Sequence, residues 1–495
     1  MAIAIGALRL AGCGTVELAE MRALDYRLRQ RGASPASADV VIVAVDDRSI
    51  AELGRWPWPR ARMAELIDRI AAAGPAVVGF DLVQSELSDD SAAGGRQSRA
   101  AEGGDALLVD AVRRTENAVL GYFFELGRGG QEAPQGESVY PIVRRDREGV
   151  GESRVPHAVA ITRNLPDLDA AARARGFFNF LPDSDGLYRR APMAVAFGGQ
   201  MATPLSLTML AQRWPERPLS ISFDSFGVTS VRFGSQSIPV GEDGQLLLNF
   251  RGRGRTFRHV AALDLLAGEV PAEELRDKLV IVGVTAVAVG DVRAMPLDPV
   301  YPGVELHATA LDNILRNDFL YQGLATPGDL SAITVAEIAL IVAGCILLGL
   351  VLSRARGVRG AFVAACLLAA WIFGSQLYFL ESGVALRAVY ASLAFLLTYV
   401  AIGVEQYVAQ ERQTRETRRM LDLYLSPAVA RELSLHPEMI KLGGEKRDRT
   451  VLFSDVKSFT AISERLDPAD LVELLNLYLG EMTDLVFQYD GMLDK

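Results

Sequence analysis

The chain has 495 residues, of which 50% are hydrophobic, and 51 Lys and Arg against 61 Asp and Glu give a net charge of −10. This length suffices for several folded units. The acidic balance argues against a nucleic-acid partner. The three cysteines are Cys13, Cys345 and Cys366, and the last two lie in apolar runs, so we expect no disulfide framework.

Residues 1–20 form an N-terminal segment whose apolar part ends near Val16 and contains Arg9. It is shorter than the roughly 20 apolar residues needed to cross a bilayer. We interpret it as part of a transmembrane helix or as an export signal. Cys13 and the three residues before it also resemble a lipoprotein cleavage site, although no basic region precedes them.

Strand-like and helix-like patterns alternate from residue 39 to residue 319. Strands alternating with helices predict an α/β domain with a largely parallel sheet. Residues 85–104 and 127–138 are rich in Gly, Ser and acidic residues and are predicted to be exposed loops. The expected strands are residues 40–45, 76–80, 118–124, 246–250 and 279–284, and the expected helices are residues 60–73, 106–114 and 304–315.

Five stretches in this region carry a family resemblance: VVIVAVDDRSIAELGRWPWPR, GFFNFLPDSDGLYRR, LLLNFRG, KLVIVGVTA and PGVELHATALDNIL. They occur in order over nearly all of residues 39–320 and resemble the second type of CHASE domain, an extracytoplasmic sensor module of bacterial signalling proteins. The resemblance implies that residues 21–322 form a sensor domain for an unknown extracytoplasmic ligand.

Several polar or aromatic residues in this region have both a functional and a structural interpretation. The run Asp46-Asp47-Arg48 could bind ligand or form a capped, salt-bridged turn, and Trp56 and Trp58 could stack on a ligand or pack a rigid turn. His307 could be a pH sensor, a metal ligand or a structural histidine. In each case the pattern favours the structural role.

Three apolar runs follow, at residues 333–352, 360–380 and 386–404, and each is long enough to span a bilayer. They contain the charged residues Glu337 and Arg387, and we expect Glu337 to face other helices or to sit near the interface. Three buried helices of a soluble protein would rarely be so uniformly apolar. The sequence therefore predicts three transmembrane helices.

Arginines indicate the orientation of these spans. Under the positive-inside rule they place the loop between the first two spans and the segment after the third in the cytoplasm, and hence the sensor outside a bacterial plasma membrane. The arginines are Arg354, Arg356, Arg359, Arg412, Arg415, Arg418 and Arg419.

A polar, helix-prone linker at residues 405–445 follows the third span. Residues 405–424 are expected to continue the last span as a helix into the cytoplasm. A short apolar seam there could pair with a second copy of the chain. The seam consists of Met420, Leu421, Tyr424 and Leu425.

In residues 446–495, a short apolar run at Val451-Leu452-Phe453 leads into Asp455 and then a helix-ready segment. Asp467 and Pro468 form an N-cap and N1 pair. A strand that ends in a carboxylate before a helix can hold a metal-bound phosphate. From spacing alone, the pattern favours Asp455 as a capping residue of an ordinary strand–turn–helix, because one carboxylate is a weak metal signal.

The motifs FSDVKSFTAISE, LLNLYL and DGMLDK resemble the start of the class III nucleotide cyclase catalytic domain, an α+β, ferredoxin-like fold. The resemblance implies that Asp455 binds two Mg²⁺ or Mn²⁺ ions with help from the Val456 carbonyl. It also implies that the Ser458, Phe459 and Thr460 amides hold phosphates and that Lys495 contacts adenine. ATP would be the substrate, and the site would form in a homodimer.

Two features depart from the family pattern. Ser458 stands where many members carry Gly, and the chain ends at Lys495 before the second metal aspartate and the transition-state residues. We therefore expect a truncated adenylate cyclase that is inactive as this chain alone. The alternatives are a receptor or scaffold with a silent cyclase-like region, and a guanylate cyclase, which Lys495 disfavours.

Overall fold

The computed structural model describes residues 14–87, 99–127, 139–145, 154–225, 227–289, 291–322, 332–354, 358–424, 448, 450–489, 491 and 493. The chain divides into two compact units, Met1–Thr398 and Tyr399–Lys495. Residues 1–13 of the N-terminal segment lie outside the described part, and a helix begins directly after them.

The helices are α1 (Gly14–Arg31), α2 (Asp47–Leu53), α3 (Arg60–Ala72), α4 (Arg99–Arg114), α5 (Pro166–Ala171), α6 (Leu205–Arg213), α7 (Ala262–Ala267), α8 (Gly303–Arg316), α9 (Ala332–Arg354), α10 (Val358–Ser382), α11 (Ala388–Tyr424), α12 (Phe459–Ser463) and α13 (Pro468–Gln488).

The strands are β1 (Val40–Val45), β2 (Val77–Phe80), β3 (Ala118–Leu126), β4 (Val143–Arg144), β5 (Ala158–Thr162), β6 (Ala174–Phe177), β7 (Arg190–Pro192), β8 (Val195–Phe197), β9 (Gln200–Ala202), β10 (Leu219–Asp224), β11 (Gly227–Phe233), β12 (Gln236–Ile238), β13 (Gln245–Leu247), β14 (Arg258–Ala261), β15 (Leu279–Val284), β16 (Val292–Met295), β17 (Asp298–Pro302), β18 (Tyr321–Gln322) and β19 (Val384–Ala385).

The main sheet has the order β14-β1-β15-β2-β3, with all neighbours parallel. At its far edge β3 pairs with β6 in parallel and with β5 in antiparallel orientation. The predicted parallel α/β sheet is therefore confirmed. Continuous apolar strands such as VVIVAV suit this sheet because helices cover both of its faces.

Alternate residues of β1 point into two separate cores. Ile42 packs in a cluster with residues of α6 and α8, whereas Val43 packs with residues of α3, α4 and α7 on the other face. Each fully buried Val or Ile side chain contributes about 1.5–3 kcal/mol. This two-sided burial fixes the register of the sheet, since a slip by one residue would exchange the two faces.

The structure corrects two predictions in this domain. Helix α4 begins at Arg99, so residues 99–104 are not loop; Gly104 lies close to α3, where an added Cβ would stand 3.4 Å from the Arg60 Cβ. Close packing against α3 outweighs the low helix propensity of glycine here. The strand expected at residues 246–250 is only the three-residue β13, and it pairs with β7 rather than with the main sheet.

The structural interpretations of the turn residues are confirmed. Asp46 caps α2 by accepting a hydrogen bond from the Ser49 amide at 2.8 Å, and Arg48 forms a 2.9 Å ion pair with Asp264. The Trp56 and Trp58 rings pack edge to face with centroids 5.4 Å apart. The Trp58 ring is buried and donates its indole N–H to the Gly54 carbonyl.

Three helices of the described part are long and apolar enough to cross a membrane, with candidate spans at Ala336–Arg354, Val358–Ser382 and Ala388–Thr417. Their positions match the three predicted spans. Glu337 and Arg387, the charged residues of the predicted spans, are in contact, because the Arg387 amide donates to Glu337 Oε1 at 2.6 Å. Glu337 is buried against other helices, as expected.

The last membrane helix and the start of the linker form one continuous helix, α11, as predicted for residues 405–424. The side chains of the proposed seam, Met420 to Leu425, lie outside the described part.

In the second unit, residues 450–456 have no regular secondary structure and pair with no strand among the described residues. The prediction of a strand at Val451-Leu452-Phe453 is wrong for this structure. A strand needs a partner for its backbone groups, and these side chains remain 69, 82 and 92% exposed. The two described helices, α12 and α13, lie where the sequence places helical segments.

Candidate functional site

Asp455 lies in the irregular segment before α12, and its side chain is exposed. Its Oδ1 accepts a 2.9 Å hydrogen bond from the amide of Val456, the next residue. It therefore does not cap α12, and its carboxylate faces solvent. Lys495, the predicted adenine-reading residue, lies outside the described residues.

The backbone between Asp455 and α12 forms a tight turn. Ser458 has a left-handed conformation with φ of 60°. The Phe459 amide donates to the Val456 carbonyl at 3.2 Å. Two predicted ligand groups, that amide and that carbonyl, are thus partners of each other, whereas Ser458 and Thr460 are exposed beside them.

Ser458→Gly is expected to stabilise the second unit by about 0.5–1 kcal/mol, because glycine adopts the left-handed region without the steric cost of a Cβ. Ala461→Gly is the control, since Ala461 lies in the middle of helix α12, where glycine costs stability. Unfolding of the second unit, followed by denaturant titration, measures both. Equal destabilisation by the two substitutions would show that the turn is not strained.

The residues at this turn fit a hard cation only in part. The Asp455 carboxylate and the Val456 carbonyl are oxygen donors, which Mg²⁺ prefers, but Mg²⁺ requires six ligands. Among the described residues, no group of three or more His, Cys, Asp or Glu side chains is arranged to hold a metal. Water, substrate or another part of the protein would have to supply the remaining ligands.

A second cluster of ionisable groups lies where β2 ends at the carboxyl edge of the main sheet. Asp81 follows β2, and its Oδ1 is 3.8 Å from His307 Nε2 on α8; both side chains are buried. Burial, and then the charge of Asp291, raises the pKa of Asp81 to about 8. Burial lowers the pKa of His307 to about 3. At neutral pH the proton therefore resides on the carboxyl group.

A similar pair occupies the opposite face of α8. Glu305 Oε1 is 3.4 Å from His259 Nε2 and accepts a 2.6 Å hydrogen bond from the Arg255 amide. Burial raises the pKa of Glu305 to about 7 and lowers the pKa of His259. Neither pair was predicted from the sequence.

The unfolding free energy of the first unit is expected to fall by about 1.6 kcal/mol between pH 6.5 and 8 because of Asp81. The folded state keeps the Asp81 proton up to about pH 8, whereas the unfolded chain, with the ordinary pKa of 3.8, has already released it. His307 opposes this trend mainly at and below its ordinary pKa of 6.5, where the unfolded chain takes up a proton that the folded state excludes.

Asp81→Asn removes the titrating proton, so its unfolding free energy should lack this part of the pH dependence. Denaturant titrations of both proteins at pH 6.5 and 8 test the prediction. An identical decline in the variant would assign the pH dependence to other groups, such as Glu305.

Arg189 of the first unit pairs with three carboxylates, and its side chain is 1% exposed. Its guanidinium contacts the carboxylates of Asp25, Asp183 and Asp185 at 2.7 to 2.9 Å. The hydrogen bond from Arg189 lowers the pKa of Asp185 to about 2. The motif DSDGLYRR contains three of these residues, but nothing in the sequence pairs Arg189 with Asp25.

An α/β domain followed by three helices of membrane-spanning length defines a membrane protein with one large domain outside the bilayer core. The CHASE2 domain model matches residues 1–351, well over half of the chain, and the chain therefore belongs to the CHASE2 domain family. The predicted sensor-domain class is confirmed, and the chain is a membrane protein that carries a signal-transduction sensor.

Three curated relatives are uncharacterized proteins, one from Mycobacterium bovis and two from strains of Mycobacterium tuberculosis. Each is 36% identical to this chain over 83 residues, which is 16% of this chain and 15% of the relative. The matched part is thus a small share of each relative's length, and their names state no activity. No solved structure matches the chain.

Proposed function

We propose that the chain is the sensor, membrane and leading catalytic portion of a bacterial membrane-bound class III adenylate cyclase, which converts ATP into cyclic AMP and pyrophosphate. The observation that carries the proposal is the FSDVKSFTAISE segment and its backbone. Asp455 is exposed, and Ser458, where many cyclases have glycine, adopts a left-handed conformation with φ of 60°. Such a conformation is the usual reason for glycine at a turn.

In the proposed reaction the ribose 3′-oxygen of ATP attacks the α-phosphorus in line with the departing pyrophosphate. Asp455 and the Val456 carbonyl would hold Mg²⁺ or Mn²⁺, which neutralises phosphate charge when bound. The amides of Ser458, Phe459 and Thr460 would position the phosphates, and positioning is the main requirement of this chemistry. The Phe459 amide must then give up or share its bond to Val456.

The proposed orientation places the sensor domain outside the cytoplasm and residues 446–495 inside it. The arginines that follow α9 and those in the polar half of α11 support this orientation. Helix α11 is unbroken from Ala388 to Tyr424 and would run from the membrane into the cytoplasm. Cyclases of this class form their site between two catalytic domains. The proposal therefore includes a homodimer, in which Lys495 of one copy would lie in the site of the other.

The test is cyclic nucleotide formation by the full gene product that includes this chain, purified in lipid nanodiscs. ATP and GTP are compared with Mg²⁺ and with Mn²⁺. Cyclic AMP from ATP supports the proposal, and cyclic GMP from GTP would replace it with the guanylate cyclase alternative. The absence of both products from a folded dimer favours the receptor or scaffold with a silent cyclase-like region. The hydrogen bond from the Phe459 amide to the Val456 carbonyl favours that alternative, because this amide is then not free to bind a phosphate.

A further inference from the structure

Helix α1, which leads into the sensor domain and belongs to it from residue 21 on, packs against both the rest of that domain and the membrane helices. Leu24 and Leu28 of α1 share one buried apolar cluster with Leu247 and Leu320 of the sensor domain and with Phe379 of α10. Nearer its beginning, Val16 packs against a second cluster, formed by Ile341, Tyr390, Ala391 and Ala394. One helix therefore connects two parts of the first unit that would otherwise contact each other over a smaller surface.

The sensor domain holds α1 through ionic and polar contacts. Arg189 binds Asp25 through two hydrogen bonds, of 2.8 and 2.7 Å, and both side chains are buried. Arg29 donates to the Pro296 carbonyl at 2.9 Å. Arg31 donates to the side-chain oxygen of Asn249 and to the Phe250 carbonyl. A buried, bidentate Arg–carboxylate pair fixes both distance and orientation.

The opposite part of α1 binds the beginning of α11. Glu20 Oε1 accepts hydrogen bonds from the amides of Val389 at 2.7 Å and Tyr390 at 3.0 Å. Because α11 begins at Ala388, these amides belong to its first turn and have no partner within the helix. A carboxylate there also interacts favourably with the helix dipole. Glu20 thus caps the N-terminus of α11 from a neighbouring helix.

Glu17 strengthens the same contact. Its Oε1 accepts from the Tyr390 hydroxyl at 2.9 Å and lies 3.2 Å from Arg387 Nη1. One turn before Arg31, Arg27 donates to the Leu386 carbonyl at 2.6 Å and to Ser375 Oγ at 3.0 Å. The segment that precedes α11 is therefore bound to α1 at several points.

We propose that α1 is the element through which the sensor domain controls the last membrane helix. Arg189 fixes α1 through Asp25, and the same helix places Glu20 on the first turn of α11. Asp25 and Glu20 are five residues apart, or about 7.5 Å along a helix that does not compress. A shift of the loop that carries Arg189 therefore moves Glu20 away from Val389 and Tyr390. The proposal rests on the sensor part of the proposed function and does not require cyclase activity.

A second route between sensor and membrane helices exists, and the test must separate the two. Strand β18, at the end of the sensor domain, pairs with β19 just before α11, in the register Tyr321↔Val384 and Gln322↔Ala385. This pairing does not involve α1. A substitution confined to the Asp25–Arg189 contact therefore distinguishes the proposed route from the β18–β19 route.

The test is hydrogen exchange of the protein in lipid nanodiscs, without nucleotide, read at the Val389 and Tyr390 amides. Asp25→Asn is expected to speed their exchange at least tenfold, and Glu20→Gln is expected to do so directly. Asp68→Asn is the matched control, because Asp68 also binds an arginine, Arg114, through both carboxylate oxygens, but on the exposed surface. The control should leave both amides unchanged.

Unchanged exchange in Asp25→Asn, with faster exchange in Glu20→Gln, would overturn the proposal and assign coupling to β18 and β19. Unchanged exchange in both would show that Glu20 does not cap α11. Amides of β1 report unfolding of the whole domain. If exchange of the β1 amides in Asp25→Asn accelerates as much as that of Val389 and Tyr390, Asp25→Glu is measured instead. This variant keeps the charge but displaces the carboxylate, and the same tenfold increase at Val389 and Tyr390 is expected. Because no cyclic nucleotide is measured, an inactive cyclase region does not affect the result.

Discussion

Replacing Arg189 with leucine is expected to lower the free energy of unfolding of the first unit by about 3–5 kcal/mol. The guanidinium is 1% exposed and holds Asp25, Asp183 and Asp185 together. Without it, three carboxylates remain close to one another in a poorly solvated site. Their attraction to the guanidinium is lost, and their repulsion of one another remains. Denaturant titration of wild type and variant measures the loss, and circular dichroism confirms that the variant folds.

Arg114→Leu is the matched control for this substitution. Arg114 also binds a carboxylate, Asp68, at 2.8 Å, but the two side chains are 55 and 44% exposed. Exposed ion pairs contribute about 0–1 kcal/mol, so this variant should unfold almost as wild type does. A similar loss in both variants would mean that burial does not distinguish the two arginines. Arg189→Lys should fall between them, because lysine keeps the charge but not the bidentate contact.

The sequence predicts the main sheet well because each strand carries its own signal. β1 and β15 are runs of β-branched residues that are buried on both faces, and their predicted bounds agree with the structure. β14 was missed: its sequence RHVA is short and half polar, and it becomes a strand only because β1 offers it a free edge. Pairing with a distant segment is information that local periodicity does not contain.

The same limit applies to the charged contacts. Arg189 and Asp25 are 164 residues apart, and Glu20 is 370 residues from Tyr390. Each residue alone resembles an ordinary surface charge on a helix or loop. Only the fold brings these residues together and buries them. In contrast, the spans α9, α10 and α11 were predictable, because a long apolar segment records its environment in its own composition.

At the cyclase-like turn, the sequence motif indicates residue types but not their local bonding. The motif placed Asp455, Ser458 and Thr460 near one another, and the structure leaves all three exposed at one turn. It did not indicate that the Phe459 amide would bind the Val456 carbonyl. A strand forms only where a partner edge is available. β14 has such an edge on β1, whereas the predicted strand before this turn has no partner among the described residues.

Asp455→Ala in the full gene product is expected to abolish cyclic AMP formation, with a loss of more than about a thousandfold. Asp455 is the charged oxygen donor at the proposed metal-binding turn. The other proposed donor, the Val456 carbonyl, is neutral and cannot replace its charge. Its own hydrogen bond is to the adjacent amide of Val456, on the protein surface. The substitution should therefore leave the free energy of unfolding within about 0.5 kcal/mol of wild type.

Asp484→Ala is the control, because Asp484 is also exposed but lies on the long helix α13, away from the turn. Both variants remove one negative charge, so an effect of net charge alone would appear in both. Rates are measured at saturating ATP with Mg²⁺ and with Mn²⁺. Loss of activity in Asp455→Ala alone assigns the carboxylate to catalysis. Full activity in Asp455→Ala would remove the metal role on which the cyclase proposal depends, while leaving intact the sensor domain and its contacts with α11.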